Sequence, residues 1–206
     1  MMHADQKIYL ASKSPRRREL LRQIGVEFEI LMLREAPGRE GAVSEDPLPG
    51  EAPDVYVKRI AREKAQAGWA AVEMRRLPLR PVLAADTTVT IDGQILGKPA
   101  SANDALQMLR QLSGRTHEVL TAIAVIVDGD LNEAFSRSEV TFEPIGDEAL
   151  RKYCASTEPL DKAGSYGVQG RAAQFISHIS GSYSGIMGLP LYETARLLNL
   201  AGIRTL

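Results

Sequence analysis

A predicted strand that runs into a helix near the amino end constrains the fold of this chain most. Residues 8–11 have the apolar character of a short strand, and residues 15–24 carry one apolar helical face that stops at Gly25. Ser14 is a favourable N-cap, and Pro15 suits the first helical position because its missing N–H would have had no partner there. The sequence therefore predicts a short strand that feeds directly into a helix.

Basic residues crowd the start of that helix. They are Lys13, Arg16, Arg17 and Arg18. Unpaired N–H groups and the positive end of the helix dipole already attract anions there, so added cations repel one another unless a polyanion neutralises them. A run of phosphates is the simplest such ligand. From this segment alone, a phosphate site and a solvated basic turn are both open.

The composition excludes several classes of protein. With 206 residues the chain can form one large domain or two small lobes, and a net charge of −1 gives no general attraction to nucleic acid or to a membrane surface. Cys154 is the only cysteine, which excludes an internal disulfide and suits a reducing compartment. No apolar run reaches the roughly 18 residues of a membrane helix, and residues 1–7 lack a signal-peptide core. We expect a soluble cytoplasmic protein.

Predicted strands and helices alternate along the chain without a strict βαβ repeat. Further strands are predicted at residues 26–33, 81–85, 119–127, 139–142 and 175–179, with a hairpin turn at Asp92-Gly93 inside residues 88–96. Further helices are predicted at residues 54–72, 101–112, 146–155 and 190–200, and residues 34–53 are predicted to form a long exposed loop. This order favours an α/β fold with a mixed sheet rather than a doubly wound one. Because no linker is evident, residues 1–206 are expected to form a single domain.

Three charged residues are candidates for chemistry. Asp86 directly follows the predicted strand at 81–85, and α/β proteins often place catalytic and metal-binding carboxylates at the carboxyl edge of a strand. An ordinary strand-ending turn is the alternative. Lys64 lies within a predicted helix and Lys98 within a Gly-Lys-Pro turn. Each can contact phosphate, or lie at the surface as a common snorkelling or turn lysine.

The stretch from Asp161 to Gly170 is dense in glycine and polar residues. Its glycines let the backbone approach a ligand closely, and Gln169 can donate and accept hydrogen bonds at once, as recognition of a base edge requires. Asp161 and Lys162 add charges of both signs. A binding loop is favoured here over a loop with a surface ion pair. His117 is instead predicted to be structural, because no nucleophile motif accompanies it.

Together these segments resemble the Maf family of nucleoside triphosphate pyrophosphatases. The matching segments are Leu10-Ala-Ser-Lys-Ser-Pro-Arg-Arg17, Arg62-Glu-Lys64-Ala, Ala85-Asp86-Thr87, Gly97-Lys98-Pro99, Leu112-Ser-Gly-Arg-Thr-His117, Asp161-Lys-Ala-Gly164, Tyr166-Gly-Val-Gln-Gly170 and Gly188-Leu-Pro190. The resemblance implies hydrolysis of a nucleoside triphosphate to the monophosphate and pyrophosphate with a divalent cation, Mg²⁺ or Mn²⁺. It also implies a Maf/inosine-triphosphatase-like α/β fold, with two lobes around a cleft floored by a long mixed sheet, and commonly a homodimer.

Three positions indicate the substrate class within that family. Members that act on dTTP and UTP carry Arg after Ser-Pro, Thr after the catalytic Asp, and Gln in the Tyr-Gly-x-Gln-Gly block. The branch that acts on 7-methyl-GTP carries Trp, Gln and Glu at these places. This chain has Arg16, Thr87 and Gln169. The resemblance therefore implies dTTP and UTP as substrates, with modified pyrimidine nucleotides also open.

The resemblance also implies roles for single residues. The substrate-binding residues would be Ser12, Arg16, Arg17, Lys64, Thr87, Lys98, Lys162 and Gln169. Asp86 would be catalytic, either as general base or as metal ligand, and the surrounding cations are expected to lower its pKa, which favours the metal ligand. Glu35 is the candidate for a further metal-side carboxylate, with Glu40 or Glu51 as alternatives. A nucleotide-sensing or division-regulating binding protein that uses the same cleft without turnover is the competing hypothesis.

Overall fold

A mixed β-sheet organises the part of the chain described by the computed structural model, residues 6–33 and 43–205. Its strands are β1 (Lys7–Leu10), β2 (Glu27–Ile30), β3 (Val82–Ile91), β4 (Gln94–Leu96), β5 (Thr116–Val127), β6 (Asp130–Phe142) and β7 (Ile176–Ser180). They lie in the order β2-β1-β3-β5-β6-β7, and β4 pairs with β3. β1 is parallel to β2 and β3, whereas β3–β5, β5–β6 and β6–β7 are antiparallel. The predicted α/β fold with a mixed sheet is confirmed.

Helices flank this sheet. The α-helices are α1 (Pro15–Gln23), α2 (Pro53–Met74), α3 (Ala102–Leu112), α4 (Asp147–Cys154), α5 (Tyr183–Ile186) and α6 (Leu191–Leu200). Short 3₁₀ helices lie at Glu158–Asp161, Ala163–Ser165 and Arg171–Phe175. Within the described ranges, no helix is both long and apolar enough to span a membrane.

The first half of β3 is buried on both faces. Val82 and Ala84 pack in a cluster with α2, and Leu83 and Ala85 pack in a cluster with α1 and α6. Side chains of a strand alternate between its two faces, so burial on both sides explains the continuous apolar run in the sequence.

The second half of β3 carries a different group of elements. Val89 and Ile91 pack in a cluster with α3, α4 and the 3₁₀ helices, to which Val119 of β5 also belongs. The long strands β3 and β5 therefore carry two groups of helices, one along each half. The space between the two groups is the predicted cleft.

The edge of β3 is open at the point where the two groups meet. β1 pairs with β3 only as far as Leu10 opposite Leu83, and β4 pairs with it only from Val89 opposite Leu96. Between these points, residues 84–88 of β3 pair with β5 on one side, and no described strand pairs with them on the other side. The chain turns out of the sheet after β1 and again after β4, so both turns border the same gap. Ligands bind at such divergence points of open α/β sheets.

Asp86 lies in this gap, in the middle of a strand rather than at its end. The prediction that the strand stops at Asp86 is wrong, because antiparallel pairing with β5 continues from Asp86 opposite Ala122 to Thr90 opposite Glu118. The pairing partner is distant in sequence, so the local pattern could not show it. What exposes residue 86 to the cleft is the end of β1 beside it.

Other predicted boundaries differ from the structure. β6 begins at Asp130 rather than at residue 139, because its first half is partly exposed and therefore polar, unlike the buried strand expected from an apolar run. The strand predicted at 26–33 is limited to Glu27–Ile30, where it pairs with β1. The loop predicted at 34–53 is described only from residue 43, and residues 43–52 form neither helix nor strand. The Asp92-Gly93 hairpin turn is confirmed between β3 and β4.

Candidate active site

The gap beside β3 opens into a cleft of about 400 Å³. Its lining includes every residue for which sequence predicted a role in substrate binding or catalysis: Ser12, Arg16, Arg17, Lys64, Asp86, Thr87, Lys98, Lys162 and Gln169. Glu35 and Glu40 lie outside the described residues. The structure thus brings the basic start of α1 and the aspartate of β3 to one cavity, while the roles of the individual residues stay predictions.

The turn from β1 into α1 has the predicted cap. The Oγ of Ser14 accepts from the backbone N–H of Arg17 at 3.5 Å, and Pro15 is the first helical residue. The backbone N–H of Ser14 donates to the Oγ of Ser12 at 3.2 Å. These bonds fix the backbone where residues 12–14 pass the open edge of β3.

Arg17 is held by three hydrogen bonds to different elements. Its Nε donates to the carbonyl oxygen of Gly188 at 2.7 Å, its Nη1 to Ser12 Oγ at 3.1 Å, and its Nη2 to Thr87 Oγ1 at 3.3 Å. Burial lowers the pKa of Arg17, and the nearby charge of Asp86 opposes that shift. A guanidinium has five N–H groups, so two of them find no acceptor among the described residues and can serve a ligand.

Asp86 shares the ammonium of Lys64 with a second carboxylate. Lys64 Nζ is 2.8 Å from Asp86 Oδ1 and 2.6 Å from Glu45 Oε1. Asp86 is only 8% exposed. Burial raises the pKa of Asp86, which outweighs the opposing effect of Lys64 and Arg17, and Glu45 adds to the rise. The expectation that surrounding cations lower this pKa is therefore wrong, because it left out the loss of hydration of the buried carboxylate.

Glu45 is a site residue that the sequence did not single out. It precedes α2, and its carbonyl oxygen accepts from the hydroxyl of Tyr56 at 2.9 Å. Burial raises the pKa of Glu45, but Lys64, Lys98 and Arg17 outweigh burial and bring it below its ordinary value. Glu45 therefore carries its charge in the cleft. Several acidic residues precede α2 and no spacing distinguishes them, so only the fold could select this one.

Glu51, an alternative for the metal-side carboxylate, belongs to a different contact. Its two carboxylate oxygens accept from Nε and Nη2 of Arg59, both at 2.7 Å, and Glu51 does not line the cleft. This bidentate pair holds the start of α2, so the geometry does not favour the Glu51 alternative.

Two carboxylates of the cleft, Asp86 and Glu45, have the chemistry needed to hold a divalent cation that is also bound by the phosphates of a ligand. Within the described ranges, no group of three or more His, Cys, Asp or Glu side chains is arranged to hold a metal ion. Asp86 and Glu45 nevertheless converge on one ammonium. Mg²⁺ is commonly held by one or two carboxylates together with substrate phosphates, and this pair matches that pattern.

The glycine-rich loop, residues 161–170, forms the wall of the cleft that faces α1. Lys162 Nζ donates to the carbonyl oxygen of Glu158 at 2.6 Å and also contacts the Asp161 carboxylate. Arg16 Nη1 lies 3.7 Å from Asp161 Oδ2, so α1 and the loop are joined across the cleft. Gln169 lines the cleft with an exposed side chain. The loop therefore carries the ion pair that the alternative interpretation of this stretch predicted. It also carries an exposed polar side chain, that of Gln169, which lines the cleft.

Lys98 and His117 differ in their relation to the cleft. Lys98 is exposed and has no ion-pair partner within the described part of the chain, which leaves its charge available to an anion. His117 is 1% exposed and does not line the cleft; its Nε2 lies 2.7 Å from the hydroxyl of Tyr166. Burial lowers the pKa of His117 to about 4, so the ring is neutral near pH 7. This placement agrees with the structural role predicted for it.

Comparisons with known proteins extend over nearly the whole chain. The Maf-like protein family matches residues 7–201. The dTTP/UTP pyrophosphatase of Dechloromonas aromatica is 52% identical over 97% of this chain and 100% of its own length. The proteins of the same name from Aromatoleum aromaticum and Burkholderia pseudomallei are 56% and 59% identical, each over 95% of this chain, and over 96% and 94% of their own lengths.

Among solved structures, the Staphylococcus aureus Ham1 protein aligns with a TM-score of 0.45 and 13% identity, over 82% of this chain and 90% of that chain. The sequence comparisons are the stronger ones. A family match that spans both halves of the sheet, together with relatives more than half identical from end to end, decides the assignment: this chain belongs to the Maf family.

Proposed function

We propose that this protein is a nucleoside triphosphate pyrophosphatase that hydrolyses dTTP and UTP to the monophosphate and pyrophosphate. The observation that carries the proposal is the cleft itself, where Arg17, Lys64 and Lys98 surround the buried carboxylate of Asp86. Relatives 52%, 56% and 59% identical to this chain bear the name dTTP/UTP pyrophosphatase.

The cations of the cleft match the charge of a triphosphate. Arg17 offers two N–H groups and Lys98 an ammonium, all without a protein partner among the described residues, and the start of α1 offers its backbone donors. Fixed positive groups of this kind stabilise the negative charge that develops on the leaving pyrophosphate when the α–β bond breaks.

We propose that Asp86 takes a proton from the attacking water. The water oxygen bonds to the α-phosphorus, the bond from that phosphorus to the bridging oxygen breaks, and pyrophosphate leaves with the bonding electrons. The water proton passes to the Asp86 carboxylate. Lys64, 2.8 Å away, holds the carboxylate in place.

We also propose that Asp86 and Glu45 hold Mg²⁺ or Mn²⁺ together with the substrate phosphates. Such a cation, when bound, neutralises phosphate charge and acidifies a water molecule. The support is the convergence of the two carboxylates on Lys64 Nζ at 2.8 and 2.6 Å. Glu45 is proposed for this part on these distances, and Glu35, which lies outside the described residues, stays a prediction.

Selectivity for pyrimidine nucleotides is proposed to depend on Arg16, Thr87 and Gln169. All three line the cleft, on α1, β3 and the glycine-rich loop respectively. Few contacts suffice, because a buried polar group left unpaired by the wrong base costs about 1–3 kcal/mol.

A homodimer in the cytoplasm completes the proposal. The dimer is supported by the family resemblance, and the cytoplasm by the free, buried thiol of Cys154, the only cysteine in the sequence, which suits a reducing compartment. Sedimentation equilibrium of the purified chain tests the dimer: a mass of one chain at micromolar concentration would contradict it.

A nucleotide panel tests the activity. Pyrophosphate release is measured with Mg²⁺ or Mn²⁺ from dTTP, UTP, CTP, 7-methyl-GTP and a modified pyrimidine triphosphate. We expect dTTP and UTP to be the preferred unmodified substrates. A matched triple variant, Arg16→Trp with Thr87→Gln and Gln169→Glu, is expected to lose that preference. Nucleotide binding without pyrophosphate release would favour the sensing hypothesis instead.

A further inference from the structure

A buried threonine behind the cleft supports the position of Arg17. Thr121 lies on β5 opposite Thr87 on β3 and is 1% exposed. Its Oγ1 is 3.0 Å from the Oγ1 of Thr87 and 2.8 Å from the carbonyl oxygen of Gly185. The Nη2 of Arg17 donates to the same Thr87 Oγ1 at 3.3 Å. One hydroxyl therefore separates Thr121 from the guanidinium.

The geometry gives the direction of these hydrogen bonds. The hydroxyl of Thr121 is directed at two acceptors, the carbonyl oxygen of Gly185 and the Oγ1 of Thr87. A guanidinium can only donate, so the Oγ1 of Thr87 also accepts from Nη2 of Arg17. Thr121 and Arg17 therefore meet at one acceptor, the hydroxyl oxygen of Thr87.

Thr121 also supports a second acceptor of Arg17. The carbonyl oxygen of Gly185 accepts from Thr121 and, at 2.9 Å, from the backbone N–H of Gly188. The carbonyl oxygen of Gly188 is the acceptor of Arg17 Nε at 2.7 Å. Arg17 donates to three acceptors. Two of them, Thr87 and Gly188, thus depend on the hydroxyl of Thr121.

We propose that Thr121 is a positioning residue of the hydrolysis reaction. It keeps Thr87 oriented as an acceptor and keeps residues 185–188 against β5, and both effects aim the free N–H groups of Arg17 into the cleft. Thr121 itself does not line the cleft, so it acts only through these neighbours. The inference rests on the proposed function, because it concerns the side chain that would meet the triphosphate.

The test removes this hydroxyl without changing the shape of the side chain. Thr121→Val lacks the donor, and Thr121→Ser restores it. The control is Thr194→Val, because Thr194 is also buried (0% exposed) and donates to a carbonyl oxygen, that of Pro190 at 2.7 Å, but lies away from the cleft. With dTTP we expect Thr121→Val to lower kcat about 10-fold and to change KM less than about 3-fold, because a misdirected Arg17 loses transition-state contacts first.

Thr121→Ser is expected to recover most of kcat, and Thr194→Val to keep it. A kcat of Thr121→Val equal to that of Thr194→Val would overturn the inference. So would a loss in Thr121→Ser as large as that in Thr121→Val, since packing and not the hydroxyl would then matter. If Thr121→Val does not fold, Thr121→Cys replaces it, because a thiol is a weak donor, and its kcat must fall below that of Thr121→Ser.

A second measurement is independent of turnover. The Arg17 Nε–H, identified by its loss in Arg17→Lys, is expected to exchange slowly with solvent in the wild-type NMR spectrum and faster in Thr121→Val. Unchanged exchange overturns the inference even if kcat changes. A wild-type protein that releases no pyrophosphate contradicts the proposed function alone, and the exchange rates then decide this inference by themselves.

Discussion

At the scale of single residues, the cleft depends on Lys64, whose ammonium pairs with two carboxylates at once. Its Nζ lies 2.8 Å from Asp86 Oδ1 and 2.6 Å from Glu45 Oε1, and without it the buried Asp86 carboxylate would lose hydration with no ion pair to compensate. The two partners respond in opposite directions: burial raises the pKa of Asp86, whereas the surrounding cations bring down that of Glu45. Such a divergence between neighbouring carboxylates is a recurrent way to separate a base from a permanently charged group.

The first prediction concerns Asp86→Asn. An amide cannot take the proton of water, so the initial rate of pyrophosphate release is expected to fall about 10³-fold. The thermal midpoint is expected to stay close to wild type, because a buried charge is removed and Lys64 keeps Glu45. The control is Asp92→Asn, an exposed carboxylate on the same hairpin that pairs with Arg115 outside the cleft. A near-normal rate in Asp86→Asn would remove this residue from the mechanism.

The second prediction concerns His117 and pH. Burial depresses its pKa in the folded protein from 6.5 to about 4, so between these values the unfolded chain binds the proton and the folded chain does not. The contribution of neutral His117 to the free energy of unfolding is therefore complete above pH 6.5 and is lost as the pH falls toward 4. It amounts to at most about 3 kcal/mol.

The measurement is urea unfolding of wild type and His117→Gln at several pH values between about 4 and 7.5, a range that brackets the histidine pKa. The free energy of unfolding of the wild type should fall more steeply with decreasing pH than that of the variant. Parallel curves would contradict a neutral buried ring. Comparing the two slopes cancels the titration of the carboxylates that both proteins share.

At the scale of elements, the glycine-rich loop is fitted against β3 and β4 by a contact that only glycine permits. Gly164 has a φ of +65°, and its backbone N–H donates to the carbonyl oxygen of Gly97 at 3.1 Å, next to Lys98. A Cβ at this position would lie 2.8–2.9 Å from side-chain atoms of Val89. The loop wall and the Lys98 turn are thus held in register by one close approach of backbone to strand.

The third prediction is that Gly164→Ala weakens both folding and activity. The left-handed backbone and the overlap with Val89 together are expected to cost about 3 kcal/mol of unfolding free energy. The control Gly93→Ala has a similar φ of +76° but nothing within 4 Å of the new Cβ, so it should cost about 1 kcal/mol. Val89→Ala added to Gly164→Ala should recover part of kcat/KM. Equal losses in the two single variants, by urea unfolding, would contradict the close approach.

At the scale of the whole molecule, local sequence patterns predict most helices and strands but not which strands pair with one another. The helix beginning at Pro15 and the Asp92-Gly93 turn follow from caps and turn residues, which act within a few positions. The extension of β3 past Asp86 and the polar half of β6 depend on pairing with β5, which no local window contains.

The candidate site shows the same division. Asp86 and Gln169 stand out in the sequence itself, the first directly after an apolar run and the second in a stretch dense in glycine, and the family resemblance adds the roles expected of them. Glu45 and Thr121 carry no local signature: the first is one of several acidic residues before α2, and the second is one polar residue inside an apolar strand. Each gains its meaning only from a contact across the fold, Glu45 with Lys64 and Thr121 with Thr87.

The distribution of charge leads to the last prediction. The chain as a whole has a net charge of −1, yet the described lining of the cleft holds six cations and three carboxylates, a local excess of positive charge. The cations are Lys13, Arg16, Arg17, Lys64, Lys98 and Lys162, and the carboxylates are Glu45, Asp86 and Asp161. The molecule therefore attracts a polyanion at one place while its overall field stays weak.

We expect KM for dTTP to rise several-fold between about 0.05 and 0.5 M NaCl at constant free Mg²⁺, because the screening length shrinks over this range. The value of kcat should change less, since contacts inside the cleft are screened less than those at the surface. Lys98→Gln should flatten the salt dependence of KM, whereas Lys152→Gln, an exposed lysine on α4 outside the cleft, should not. A KM that does not depend on salt, or an equal effect of both lysine variants, would show that the local excess of charge does not bind the substrate.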